Sequence, residues 1–161
     1  MSDQAYINSL YRSASNYNSQ ASYWRGQATA AQSTIDALNP QLAHKREQLG
    51  YANDVNGMFP GLTSAVQTLD AQLEAVATAL DSQLSDDGAR SGVTRLDDTY
   101  EGHVSSAKSA CTTLIATLEQ EIASLEQQIA AATSQRNTAN ANASSASANA
   151  SWCYSRIAAL S

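Results

Sequence analysis

Two histidines, two cysteines and a few clustered acids are the side chains through which this 161-residue chain could do chemistry. His44 and His103 lie outside any HExxH pattern and away from cysteines at metal-ligand spacing, so each reads as a solvated or seam-edge residue. Cys111 and Cys153 form no CxxC pair. The chain has no glycine-rich phosphate loop and no GxSxG nucleophile motif. Glu119, Glu121 and Glu126 crowd one segment and read as a solvated helix face, with cation binding or a basic partner as the alternative. Asp86-Asp87 and Asp97-Asp98 suit turns or helix starts, where the dipole favours acids. The expectation is a non-enzyme with no catalytic, metal or cofactor-binding residues.

What remains is rhythm. From Val93 to Leu160 a small or apolar side chain recurs every three or four residues: Val93, Leu96, Tyr100, Val104, Ala107, Cys111, Leu114, Leu118, and on through Ile122, Ala143 and Ile157. Arg136 alone departs from the apolar rule. Such spacing is a helical seam, and at ~1.5 Å per residue it spans roughly 100 Å. Both cysteines fall on it, roughly 60 Å apart by the same rise, too far to bridge. Even 137–151, NTANANASSASANAS, keeps phase, so this low-complexity stretch reads as helix supported by a partner strand rather than as a linker.

A second rhythm runs Ile7, Leu10, Ala14, Tyr17, Ala21, Trp24, Ala28, Ala31, Ile35, Leu38, Leu42, Lys45, Leu49. Asp3 can cap its start and Gly50 can stop it. Pro40 predicts a kink, or a local break after Asn39. Residues 51–61, YANDVNGMFPG, concentrate turn chemistry and predict an interruption. A third rhythm follows: Leu62, Val66, Leu69, Leu73, Val76, Leu80, Leu84, ending in a turn at 86–92.

These elements predict one all-α domain over 1–161, an elongated antiparallel helical hairpin with helices at about 3–50, 60–86 and 93–160. The first two lie end to end along the third. Trp24 then falls near Ala143 and Tyr17 near Ala150, large knobs over small holes. Leu62 falls near Leu118. The competing arrangement bends the third helix near Gly102 or Asn137–Asn142 and forms a compact four-helix bundle. Two helices bury one seam, leaving Tyr6, Tyr23, Ile115, Ala75, Ala77 and further alanines exposed beside it. That suits docking of further helices, or simply reflects helix propensity.

Charge narrows the partners. Nine basic and fifteen acidic residues give a net charge of −6. Lys45-Arg46 is the lone basic dipeptide, so nucleic-acid binding is not expected. No apolar run is long enough for membrane insertion, and the first residues lack the form of a classical signal peptide. The expected compartment is the cytoplasm, with export by a route that ignores classical signals left open.

Trp24-Arg25-Gly26 spells W-x-G, a mark of the small helical hairpins exported by type VII secretion systems, although here the triad sits inside an unbroken heptad. In its order of elements the chain resembles the YwqH-type accessory proteins encoded beside LXG toxins. Phe59-Pro60-Gly61 stands where that family has a W-x-G-like break. Leu114-Ile115-Ala116-Thr117-Leu118-Glu119-Gln120-Glu121-Ile122 is similar to its C-terminal helix. No Y-x-x-x-D/E or F-x-x-x-D export signal occurs. The resemblance implies a partner or targeting protein, which packs side by side with the helical N-terminal segment of an LXG-type toxin or with a WXG-like protein. Its candidate interface residues are Trp24, Gly26, Phe59, Pro60, Gly61, Ile115, Tyr6 and Tyr23. The alternative is a self-associating coiled-coil spacer, with a homodimer as its simplest form.

Overall fold

The computed structural model describes the backbone of residues 3–84 and 88–160 and the side chains of 4–79 and 99–160. It is a helical hairpin of two long helices, α1 (Asp3–Leu84) and α2 (Gly88–Ala158). Their pairing is antiparallel. Asn18 meets Tyr154, Arg25 meets Ser147, Gln32 meets Arg136 and Lys45 meets Glu121, falling in α2 as they rise in α1. The chain divides into two compact units. Unit 1 is Met1–Ala43 with Ala123–Ser161; unit 2 is His44–Ile122.

Two expected features are absent. The interruption at 51–61 does not form: α1 is helical through Gly50, Asn53-Asp54, Asn56-Gly57 and Phe59-Pro60-Gly61, and through Pro40. The reason is packing. Counting onward from Leu49 in steps of three and four reaches Ala52, Asn56 and Phe59, and Ala52 and Phe59 are buried against α2. The glycines 50, 57 and 61 have open space where a Cβ would stand, and none needs a left-handed backbone. Glycine and asparagine cost ~1 kcal/mol or less each in a helix, and burial of a phenylalanine offsets more than one of them. Likewise α2 is a single helix through Gly102 and Asn137–Asn142, so the bent four-helix arrangement does not occur. The helix begins at Gly88, inside the turn expected at 86–92; residues 85–87 lie outside those described, as do the side chains of Asp3, Leu80, Leu84, Val93 and Leu96.

Serine and threonine are poor helix formers because their hydroxyls compete for backbone groups. Here many of them bond their own helix instead. Ser19, Thr29, Ser33, Thr34, Thr63, Thr68, Thr112 and Thr117 each donate to the carbonyl four residues back, at 2.9–3.2 Å. Such bonds pair the hydroxyls within the helix at little cost to it, and all of these residues but Thr63 lie off the seam.

In unit 1 the seam is thin. Its buried residues are Leu10, Ala14, Ala21, Ala28, Ala31, Ile35 and Leu42 on α1, and Ala132, Ala139, Ala143, Ala146, Ala150, Cys153 and Ile157 on α2. Every one matches the expected heptad positions. Leu10, Ala14, Cys153 and Ile157, flanked by Ile7, Tyr17 and Leu160, form a hydrophobic cluster. Ile35, Leu38 and Leu42 on α1 and Leu125 and Ile129 on α2 are also buried or half-buried, and between these two stretches the seam is mostly alanine beside half-buried Trp24. Trp24 lines one hollow with Ala139, and Arg25 reaches Ser147, which places Ala143 between them as the register predicted.

Unit 2 departs from expectation. Ala52, Phe59, Ala77 and Leu118 are its buried residues, with Asn56, Val66, Asp70, Leu73, Val104, Cys111 and Ile115 half-buried. Leu62, Leu69 and Val76, expected in the seam, are exposed. So are Tyr100, Ala107 and Leu114. Ile115 and Ala77, expected outside, point inward. Leu118 shares a hollow with Ala52 and Val55, whereas Leu62 shares one with Tyr100, so Leu62 does not meet Leu118. With no interruption in α1, the repeat that begins at Leu10 reaches Ala77 without a slip and fixes which residues point inward.

Candidate interaction surfaces

Heptad letters place every candidate side chain. With Ala14 as a and Tyr17 as d, the inward positions of α1 in unit 2 are a and d, namely Leu49, Ala52, Asn56, Phe59, Thr63, Val66, Asp70, Leu73 and Ala77. With Ile115 as a and Leu118 as d, those of α2 are Glu101, Val104, Lys108, Cys111, Ile115, Leu118 and Ile122. Several a positions are polar: Thr63, Asp70, Glu101 and Lys108. Polar a residues cost stability and pin register. The half-buried Asn56 leaves its Oδ1 without a hydrogen bond.

The bulk that these positions lack lies one residue back, at c and g. On α1 the c and g positions run Tyr51, Val55, Met58, Leu62, Ala65, Leu69, Gln72, Val76, a second complete heptad. All eight are exposed, and Met58 leads the large apolar ones at 68%. On α2 they are Tyr100, His103, Ala107, Ala110, Leu114, Thr117 and Glu121, exposed too. In an antiparallel pair the g positions of both helices flank the same side of the seam, so the two stripes adjoin. Between them lie hollows of about 680 Å³ by Val55 and Leu114 and about 490 Å³ by Leu69 and Tyr100. The opposite flank, at e, is polar apart from Pro60: Arg46, Asn53, Gln67 and Glu74 on α1 against Ser105, Thr112 and Glu119 on α2.

Unit 1 is built the other way. Its flanks are polar and bridge the helices. Asn18 Nδ2 donates to Tyr154 Oη at 3.2 Å, and Arg25 donates to Ser147 Oγ at 2.9 Å. Arg136, at an inward position of unit 1, donates across the seam to Gln32 Oε1 at 2.7 Å and along its own helix to Asn137 Oδ1. Its exposed apolar surface is aromatic: Tyr6, Tyr11, Tyr23, Trp152 and Tyr154. Tyr23 and Trp152 both occupy c positions. In register they fall within about one helical turn of each other on the same side of the pair.

Among the expected interface residues, Tyr6 and Tyr23 are thus exposed, while Trp24 is half-buried and packs edge-on against Tyr23, their ring centres 5.1 Å apart. Gly26 is exposed within the helix and makes no turn. Phe59 is buried in the seam, and Pro60 and Gly61 lie on the outer face of α1. Ile115 is half-buried. The structure therefore does not gather these eight into one place. Trp152, Met58, Leu62 and Leu69 are among the exposed apolar residues that sequence reading missed. A continuous heptad count from Leu49 would have found the last three.

The titratable groups stand apart. Cys153 is buried and Cys111 half-buried, and both are free thiols, with Cys111 Sγ donating to Ala52 O at 3.3 Å. His44 contacts Gln48 and, at 3.7 Å, Glu47 on its own helix face. Glu121 pairs with Lys45 at 2.7 Å. Among the described residues, no three His, Cys, Asp or Glu side chains converge to hold a metal ion, and no helix is long and apolar enough to cross a membrane. Comparison of the chain with protein-family models, curated proteins and solved structures finds no match.

Proposed function

We propose that this chain is a non-enzymatic helical docking protein, a partner of the kind encoded beside LXG toxins, that holds a helical segment of a type VII secretion substrate by side-by-side packing. The observation that carries the reading is the exposed aromatic group of unit 1, above all Tyr23 and Trp152. Tyrosine and tryptophan offer large contact area with few rotors to freeze, and they dominate the energetics of protein interfaces. Tyr23 and Trp152 are both 60% exposed on their own unit, so most of each ring stays open for a partner. Support also comes from the acidic balance of the chain, which suits a protein partner better than a nucleic acid.

The test is co-expression with the helical N-terminal segment of an LXG-type toxin encoded nearby, followed by size-exclusion chromatography. Co-elution is the expected result, weakened at least tenfold by Tyr23→Ala with Trp152→Ala, at ~1.4 kcal/mol or more for the pair. Failure to co-elute with any neighbouring gene product would remove the reading. A spacer that only self-associates would bind none of them.

A further inference from the structure

We propose that a second copy of this chain covers the exposed c/g face of unit 2, pairing hairpin to hairpin as a four-helix layer over residues 51–76 and 100–114. The face differs in kind from the aromatic surface of unit 1, and the inference stands apart from the docking role.

Geometry selects the occupant. A stripe one residue back from the seam is turned by about 100° around a helix of 3.6 residues per turn. Each helix in unit 2 therefore has one neighbour in place and asks for another at nearly a right angle. That is the arrangement of a square of four helices. A single added helix, making a triangle of three, would need the two seams only about 60° apart. Both α1 and α2 turn their second stripe to the same side, so the missing element is itself a pair of helices with matching stripes. A second copy supplies that pair, and a two-fold contact buries the same patch on both partners at once.

Area and charge agree. Met58, Leu62, Leu69, Val76, Tyr100 and Leu114 are each about half exposed or more. With Tyr51 and Val55 they make eight such side chains. At roughly 200 Å² for a large side chain, eight half-exposed ones offer on the order of 800 Å², the share each partner gives to a standard interface. Charged g residues usually set partner choice in coiled coils. Here, among the c and g positions of both stripes, Glu121 is the sole acid and already pairs with Lys45. Two chains of net charge −6 thus meet on a face that carries almost no charge.

Sedimentation equilibrium on the whole chain tests this without any toxin present. The expected mass is twice 17.0 kDa at concentrations on the order of 50 µM, for a dissociation constant near ~1 µM. Leu62→Glu with Leu69→Glu should raise that constant at least 100-fold while the far-UV circular dichroism stays helical, because neither residue belongs to the seam of its own hairpin. Gln72→Leu, which removes the polar residue of the α1 stripe, should tighten the dimer about tenfold. Gln67→Glu, on the polar flank, should leave it unchanged. A wild-type mass of 17.0 kDa at these concentrations would overturn the inference. So would a dimer that survives the double glutamate variant.

Discussion

Unit 1 and unit 2 use the same two helices and the same 3-4 repeat, yet they put their apolar mass in different places. In unit 1 it lies at a and d, mostly as alanine, and the flanks are Asn, Gln, Ser and Arg that bond across the pair. In unit 2 the a positions mix Asn56, Thr63, Asp70, Glu101 and Lys108 with Leu49, Ala77, Ile115 and Ile122, while Leu62, Leu69, Val76 and Leu114 stand beside the seam at g. A small core with polar flanks satisfies a two-stranded coil. A seam with a partly polar a column and a leucine flank leaves apolar side chains uncovered. The lesson is that the 3-4 count of a helix tells which face is inward only when one column is apolar. Where two adjacent columns qualify, the continuous count along the chain decides.

The contrast can be attacked at Phe59, where the largest effect is expected. Phe59→Ala removes a buried ring from the seam of unit 2 and should lower unfolding stability by about 3 kcal/mol, read from urea denaturation. If 51–61 were a turn between helices, with the ring on its surface, the change would be close to nil. The next largest effect belongs to unit 1. Ala143→Leu forces bulk into a hole that Trp24 already fills from the facing helix, costing about 2 kcal/mol in the same assay. The equivalent swap at the exposed Ala65 should cost nothing, since that position lies outside the unit 2 seam. Smallest is Gly57→Ala. A Cβ there meets open space, so the substitution should stabilise α1 by up to ~1 kcal/mol through helix propensity. A destabilisation would mean that Gly57 serves a turn.

Much of unit 1 was legible in its residues because both columns flanking the seam are mostly polar. Within 137–151, Ala139, Ala143, Ala146 and Ala150 have Asn, Ser and Thr for most of their neighbours, so one phase fits best. All four are buried. Arg136 looked like an exception, and it is one that Gln32 satisfies. In unit 2 the same method placed Val66, Leu73, Val104, Cys111 and Leu118 correctly and chose the wrong second column. Leu62, Leu69 and Val76 outweigh Thr63, Asp70 and Ala77 in any tally of apolarity. Ala107 and Leu114 look better than Lys108 and equal to Ile115. The inward residues follow instead the unbroken three-four count through Ala52, Asn56 and Phe59, which α1 keeps as one helix. The expected break failed for a related reason. Asn53, Asp54, Gly57, Pro60 and Gly61 are turn formers taken singly, but all of them fall on outward positions, where a helix that is held by Ala52 and Phe59 tolerates them.

The candidate surfaces were legible only in part. Tyr6 and Tyr23 could be picked as exposed because they sit off the expected seam. Trp152 was missed, since it lies next to Cys153 at the end of a run read as a whole. Gly26, Phe59, Pro60 and Gly61 were chosen by likeness to a W-x-G break, and no break exists at either place.

The continuity of α1 through 51–61 underlies the assignment of both seams, and backbone hydrogen exchange tests it most directly. The account predicts that the amides from Ala52 to Val66, Pro60 excepted, exchange as slowly as those of the neighbouring stretch around Leu42, as one hydrogen-bonded helix requires. Exchange across 51–61 at the rate of an unstructured peptide, with protection resuming near Leu62, would contradict it.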